Sequence, residues 1–375
     1  MNVTERLFAL TLYVLVLCII CYLITHLKRN YLSVVLFFYT LVLSIMSFFY
    51  VPPEGADLYR LVPIMHIWGG MSFSKLWGEM MQSYAPLNLL YMHLIGKTNI
   101  DGLLPAITSF IFYSNIFYVF KRSVFHFNVR TSDASLVLFF FMSLGVLIEV
   151  ISGIRTMLSF SFIAVVIYKE MVEGKSVYRH AFWYIAASLI HPAGLVLTGI
   201  RFSYYVFEKS KTNYERLTKI LFILITVAGI LVFGRLYLLE SYDKAVFYLL
   251  EDKFSYFWEY VIGIISLLFV MYILRLVSKS NRLQGGFESQ RNLIGFSKYL
   301  SILLIIFSIE YNIFHRFVIF LSIMAIPLML SLFAKQNQTN IVRGNFRRFV
   351  FYLSCLLLLL ACSRGNLTSL KFFEF

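Results

Sequence analysis

Two apolar runs between Glu149 and His191 carry a guanidinium at Arg155 and an imidazole at the C-terminal edge, His191. An arginine in the middle of a membrane-spanning helix costs about 2.5–3.5 kcal/mol on insertion scales, so a polar group kept in such a run is a candidate for function. Arg155 follows Ser152-Gly153 at the start of its run. A guanidinium stays charged and holds five donors in a fixed fork, which suits bidentate capture of phosphate oxygens. Two plainer roles stand beside that one: an arginine snorkelling at a helix end, or an ion pair with the adjoining Glu149. His191 precedes Pro192, and proline removes a backbone donor and breaks a helix. An imidazole at such a break serves as general base or as donor to an oxyanion, or it caps the carbonyls that the break frees. Further along, His315-Arg316 sits between two apolar runs, after Glu310-Tyr311-Asn312, and Arg316 opens its run as Arg155 does. Arginines converging from two helices make a diphosphate clamp, whereas an ordinary short turn would pair Arg316 with Glu310.

The segment 51–84 opens with Pro52-Pro53-Glu54-Gly55-Ala56-Asp57-Leu58-Tyr59-Arg60. Asp57 and Tyr59 can hydrogen-bond sugar hydroxyls. Trp68, Phe73 and Trp77 can stack on pyranose faces or anchor at a membrane surface, the plainer role for the tryptophans. A second segment, 236–259, sets Glu240, Asp243, Glu251, Asp252 and Glu259 among Tyr242, Tyr248, Tyr256, Phe257 and Trp258, and Glu240 is the ready ion-pair partner of Arg235. The cysteines Cys18, Cys21, Cys355 and Cys362 all lie in apolar runs. Cys18 and Cys21 have CxxC spacing, but no second ligand pair is near, so all four read as small buried hydrophobes without metal or redox use. There is no Walker motif, GxGxxG loop or DxD cluster, which argues against nucleotide use.

The elements that must hold these groups are helices in a membrane. Hydrophobic residues make up 60% of the chain, charged residues 14%, and mean hydropathy is +0.78, far from a soluble composition. The apolar runs are continuous rather than alternating, which excludes a β-barrel and predicts an all-α, polytopic membrane protein. The first run, 7–27, is longer than a signal-peptide core and ends at His26-Leu27-Lys28-Arg29 without a small-residue cleavage site. The net charge of +14 falls in clusters at Lys28-Arg29, Lys121-Arg122, Lys175 with Arg179, Lys209 to Lys219, Lys279 to Lys298 and Lys335 to Arg348. The positive-inside rule makes each cytoplasmic. Spans are then expected at 7–27, 31–50, 103–120, 134–151, 154–170, 179–191, 193–208, 217–235, 260–277, 299–313, 316–334 and 347–362. That is about twelve, with both termini outside and two sizeable extracytoplasmic loops near 51–84 and 236–259. The short run 84–96 is expected to be re-entrant or interfacial. A hairpin broken at His191-Pro192 satisfies the charges, although it leaves Arg201 inside a span. No internal repeat or Pro- or Ser-rich linker interrupts 1–375, so one transmembrane domain is expected. Asp57, Arg155, His191, His315 and Arg316 all come out on the outer face. Topology already explains the basic residues, so nucleic acid is not an expected partner.

At these residues the chain resembles the EpsG-type branch of the Wzy polysaccharide polymerases. Gly55-Ala56-Asp57-Leu58-Tyr59 is similar to the family's Gly-x-Asp-x-x-x-Tyr region, with the tyrosine here two residues after the aspartate. Ser152-Gly153-Ile154-Arg155 resembles its arginine-led helix, Ala186-Ala187-Ser188-Leu189-Ile190-His191-Pro192 its histidine-containing break, and His315-Arg316 a later arginine-led span. The four run in order through most of the chain. The resemblance implies a multi-pass glycosyltransferase of the bacterial inner membrane. Such an enzyme joins oligosaccharide units carried on undecaprenyl diphosphate at the outer face, with the growing chain as donor, and releases undecaprenyl diphosphate. It implies Arg155 and Arg316 on the diphosphate, His191 and then His315 as base, and Asp57, Tyr59, Glu149 and Glu310 on the glycan. Membrane lipid and a chain-length regulator are the further partners it suggests; cofactor and metal are not required, because the lipid diphosphate is itself activated. A flippase would place its basic residues along a central cavity at mid-depth, and an O-antigen ligase differs only in acceptor. A membrane acyltransferase would carry its histidine and arginine early in the chain.

Overall fold

With apolar side chains at most positions, the backbone is the main polar load of this chain, and helix satisfies it locally. The structure, a computed structural model, describes residues 3–54, 56–207, 213–214, 217–221, 224, 257–284, 288–308, 310–334, 340–363, 367 and 370–372. Its long elements among these residues are all helices: α1 (Val3–His26), α2 (Leu32–Phe48), α3 (Asp57–Gly69), α4 (Phe73–Gln82), α5 (Pro86–Gly96), α6 (Leu103–His126), α7 (Thr131–Ser143), α8 (Val146–Ser152), α9 (Ile154–Met171), α10 (Ala181–Ile190), α11 (Pro192–Phe207), α12 (Phe257–Gln284), α13 (Glu288–Phe307), α14 (Tyr311–Leu332) and α15 (Asn340–Ser363). Six stretches are long and apolar enough to cross a membrane: Glu5–His26, Arg29–Phe48, Leu103–His126, Tyr260–Lys279, Ile313–Leu332 and Gly344–Ser363. The bent pair Thr131–Ser143 and Val146–Ser152 makes a seventh if it is one span. The protein is therefore an all-helical chain of membrane-embedded type.

Several expected boundaries move. The span expected at 134–151 breaks by 50° between α7 and α8, where Gly145 takes a φ of +71°, a left-handed conformation that a side chain would strain. The span expected at 299–313 begins at Glu288 and ends at Phe307, so the turn falls earlier and His315-Arg316 lies inside α14. The loop expected over 51–84 is largely helical, because Leu58, Leu61 and Met65 fall on one face of α3 and are buried there. The run 84–96 becomes α5, eleven residues, too short to span. The cysteines are not a buried set: Cys18 is exposed and Cys21, Cys355 and Cys362 are half-buried, because α1 and α15 sit at the periphery. The loop at 236–259 lies outside the described residues apart from its last three, as do Arg235, Gly55 and most of the span expected at 217–235.

α14 is the central post. Its apolar window is 89% buried against 28% for α1 and α15, and it packs on α6, α7, α9, α12 and α13. Polar contacts between the turns and helix ends mark two chemically distinct ends. At one, Arg29 donates to Val124 O and Asn128 Oδ1 at 2.6 and 2.7 Å and lies over the Phe125 ring, Arg122 Nε donates to Glu173 at 2.8 Å, and Arg347 Nε pairs with buried Asp133 at 3.1 Å. Members of three of the basic clusters, Arg29, Arg122 and Arg347, have their partners there. At the other end the first and last described segments meet: Lys371 pairs with Glu5 at 3.4 Å and Tyr50 bridges to Phe372.

α10 and α11 pack as a helical hairpin about His191-Pro192, but at ten and sixteen residues neither is among the candidate spans. Tyr184 packs on Phe202 with ring centroids 5.2 Å apart, Ser188 donates to Thr198 at 3.3 Å, and both helices rest on α9. Close approach at its tip depends on Gly194, where a Cβ would overlap Ser159 Oγ and lie 2.5 Å from the Ala187 carbonyl oxygen. Gly194→Ala is expected to destabilise the fold by about 1–3 kcal/mol, the usual range for overpacking. A lowered melting temperature in detergent would show this; an unchanged one would mean that the hairpin is loosely packed.

Candidate functional site

The groups singled out in the sequence meet in two places: Asp57 with Arg316 and Glu149 with His315 at the start of α14, and His191 with α9 through Thr156. Asp57 begins α3, where an acidic side chain suits the helix N-terminus. Its carboxylate receives Arg60 Nη2 on Oδ1 at 2.5 Å and Arg316 Nη2 on Oδ2 at 3.3 Å. That second bond joins residues far apart in sequence and ties α3 to α14. Beside it, His315 Nε2 lies 3.0 Å from Glu149 Oε1, which ties α8 to α14. His315 is only 7% exposed in its side chain and its ring stacks on Tyr311, with centroids 5.5 Å apart. Glu310 Oε2 accepts the Ile313 amide at 2.6 Å and caps the start of α14. Successive residues of α14 thus meet two carboxylates from two other helices.

Arg155 and His191 form the neighbouring part of the site. Gly153, whose φ/ψ of −87°/38° lies outside the helical region, separates α8 from α9, so Arg155 stands in the first turn of a new helix. It is half-buried, and among the described residues it has no hydrogen-bond or ion-pair partner. The pairing with Glu149 allowed by the sequence does not form. The next residue, Thr156, meets His191: Thr156 Oγ1 and His191 Nδ1 are 3.4 Å apart. The Ala193 amide donates to His191 Nδ1 at 3.1 Å. A lone pair occupied by a backbone N–H cannot carry a proton, so in the neutral ring the hydrogen resides on Nε2. His191 as positioned is a donor through Nε2, and the proline break that freed the turn also set that tautomer. α9 and α14 are held in register by Phe160, whose ring lies 5.3 Å from those of Phe317 and Phe320. Arg155 and Arg316 each stand near the start of their helix, and the two helices pack on one another.

Tyr59 is exposed on α3. Phe73 and Trp77 are exposed on α4, while Trp68 is partly buried against the core. No group of three or more His, Cys, Asp or Glu side chains among the described residues could hold a metal ion. The chain matches no family model, no curated protein and no solved structure.

What this end can do chemically follows from its charges. Arg155, a guanidinium without a partner among the described residues, Arg316, a second on a shared carboxylate, and His191, an imidazole donor, are each suited to an anionic oxygen cluster. The carboxylates Asp57 and Glu149 supply acceptors beside it. Two members, and one pairing away from this end, escaped sequence reasoning. Thr156 is legible only as the residue after Arg155, and Arg60 only as an i+3 neighbour of Asp57. The partner of Arg201 is Glu170, at 3.2 Å, both with side chains at most 3% exposed. An arginine stranded in a span demands such a carboxylate, and Glu170 at the inner end of the preceding run was the available one.

Proposed function

We propose that this chain is a polysaccharide polymerase that joins undecaprenyl-diphosphate-linked oligosaccharide repeat units at the outer face of the bacterial inner membrane. The observation that carries this reading is Arg155, which has no partner among the described residues and stands one position before Thr156, the residue of α9 that meets His191. The reading requires twelve crossings with both termini outside. Six of the described stretches, or seven with the bent pair, are long and apolar enough to be among these crossings, and the first and last described segments meet through Glu5 and Lys371.

In the reaction, an acceptor sugar hydroxyl attacks the anomeric carbon of the donor chain. The new glycosidic C–O bond forms as the bond from that carbon to the diphosphate oxygen breaks, and the electron pair leaves on undecaprenyl diphosphate. Arg155 and Arg316 hold the diphosphate where negative charge develops, which is where a fixed donor contributes most. His191 adds its Nε2–H to the same oxygens. The hydroxyl proton passes to His315, because Glu149 orients that ring and stabilises the imidazolium formed on proton uptake. This reverses the order of the two histidines suggested by the resemblance, and the cause is the backbone amide on His191 Nδ1. Asp57 and Tyr59, with Glu310, face the glycan at the mouth of the site.

The test is the length distribution of surface polysaccharide in cells lacking the gene, complemented with wild type or with Arg155→Ala. A polymerase leaves anchors capped with one repeat unit in the null strain, and the variant restores no ladder at normal expression. Absence of single repeats from the surface would identify a flippase, and an intact ladder in the null strain would remove polymer assembly altogether.

A further inference from the structure

We infer that the buried ion pair between Glu170 and Arg201 is a positioning device that sets the register of the α10–α11 hairpin, and with it the place of His191 in the site. The link from that register to polymer assembly rests on the function proposed above; the geometry of the pair does not. Glu170 lies in the last turn of α9 and Arg201 in α11. One oxygen, Glu170 Oε2, receives both Arg201 Nε at 3.2 Å and Tyr184 Oη of α10 at 2.8 Å. Three helices are thus joined at a single atom, at the end of the hairpin remote from His191. The span from Glu170 back to Thr156 is fourteen residues of continuous helix, about 21 Å at 1.5 Å per residue. The rigid α9 carries the anchor at one end and the His191 contact at the other.

The other contacts of the hairpin, Tyr184 on Phe202 and Trp183 on Phe162 among them, are between uncharged groups and specify its register less sharply. α10 reads Ala-Phe-Trp-Tyr-Ile-Ala-Ala-Ser-Leu-Ile, and Phe182, Ile185 and Leu189 on it are exposed. An apolar helix on an apolar wall can slide with small changes in buried area, and in lipid the outward face gains or loses nothing by sliding. A directional, charge-assisted bond is satisfied in one register only, which is the best-attested use of buried polar pairs. At the tip the polar contacts are weaker: Thr156 to His191 at 3.4 Å, and Ser159 Oγ donating to Ala187 O at 2.9 Å. Gly194 sets how near α11 comes, and the ion pair sets how far along.

The experiment uses the full chain with Cys18, Cys21, Cys355 and Cys362 replaced by alanine and Thr156→Cys and His191→Cys introduced. A short bismaleimide reads tip position as cross-linking yield, independent of activity. Removing one charge alone would strand the other, so the decisive variant is Glu170→Gln with Arg201→Met, checked for folding by its melting temperature. The expected result is a folded protein whose yield falls several-fold and recovers in the charge-swapped Glu170→Arg, Arg201→Glu pair. An unchanged yield in the folded double variant would overturn the proposal. So would a loss that the swap does not repair. The same lock variants in a protein retaining His191 are read for polymer length. A yield that falls and recovers with no change in polymer would leave the lock standing and remove His191 from polymer assembly.

Discussion

If the chain acts as proposed, replacing Arg155 with alanine is expected to lower turnover by about 10²–10³-fold, the cost of removing one preorganised donor from a developing oxyanion, while the protein stays folded. Both halves of that expectation follow from one fact: Arg155 has no partner among the described residues. A structural arginine leaves an orphaned carboxylate when it is removed, and the protein loses stability. Arg155 leaves none. Arg316 differs, since Asp57 accepts from it and would lose a cation that ties α3 to α14. Arg316→Ala should therefore lower the melting temperature as well as activity. Arg155→Lys should recover only part of the loss, because an ammonium is a point charge without the guanidinium fork. The measurement is turnover with purified lipid-linked repeat units, beside a thermal melt in detergent. A full-length ladder from Arg155→Ala would show that this arginine merely snorkels at its helix end.

Removal of the His315 imidazole, as His315→Ala, is expected to cost about 10²–10⁴-fold in turnover, the usual worth of a positioned general base. Glu149 sits 3.0 Å from Nε2 and would be left without its imidazole, so a loss of stability accompanies the loss of rate. Glu149→Gln separates the two effects. The amide can still accept a hydrogen bond from Nε2, so the fold is kept, but it no longer stabilises an imidazolium, so turnover falls. His191→Ala should cost less than His315→Ala, about 10²–10³-fold, since it removes a donor and not the base. If His191→Ala proves the more damaging and His315→Ala keeps most of its rate, the roles of the two histidines are exchanged.

Much of the site was legible before any coordinates. Arg155, His191, Asp57 and His315-Arg316 stood out because charge inside or beside an apolar run is costly. The positive-inside rule put them on one face, and the structure joins Asp57 to Arg316 and His315 to Glu149. The hairpin at His191-Pro192 was legible from the proline. The pairings were not. Glu310 appeared as the natural partner of Arg316 because it is near in sequence, but Asp57 holds that arginine from across the bundle. Glu149 appeared as a partner for Arg155 for the same reason, and it faces His315 instead. The segment 51–84 passed for a loop, since its helices are short and Pro63 interrupts the pattern; burial of Leu58, Leu61 and Met65 folds it.

The sequence by itself determined that the chain is helical and membrane-embedded in type, where most of its helices lie, and that its two ends differ in charge. Those properties are local: apolar length, proline and glycine breaks, and the count of lysine and arginine between runs. Only the tertiary structure decided which carboxylate meets which cation, which nitrogen of His191 carries hydrogen, and that Glu170 anchors the hairpin through Arg201. Helices apolar on nearly every face carry almost no periodic signal of which face turns inward, so the partners of their few polar groups are chosen by packing alone.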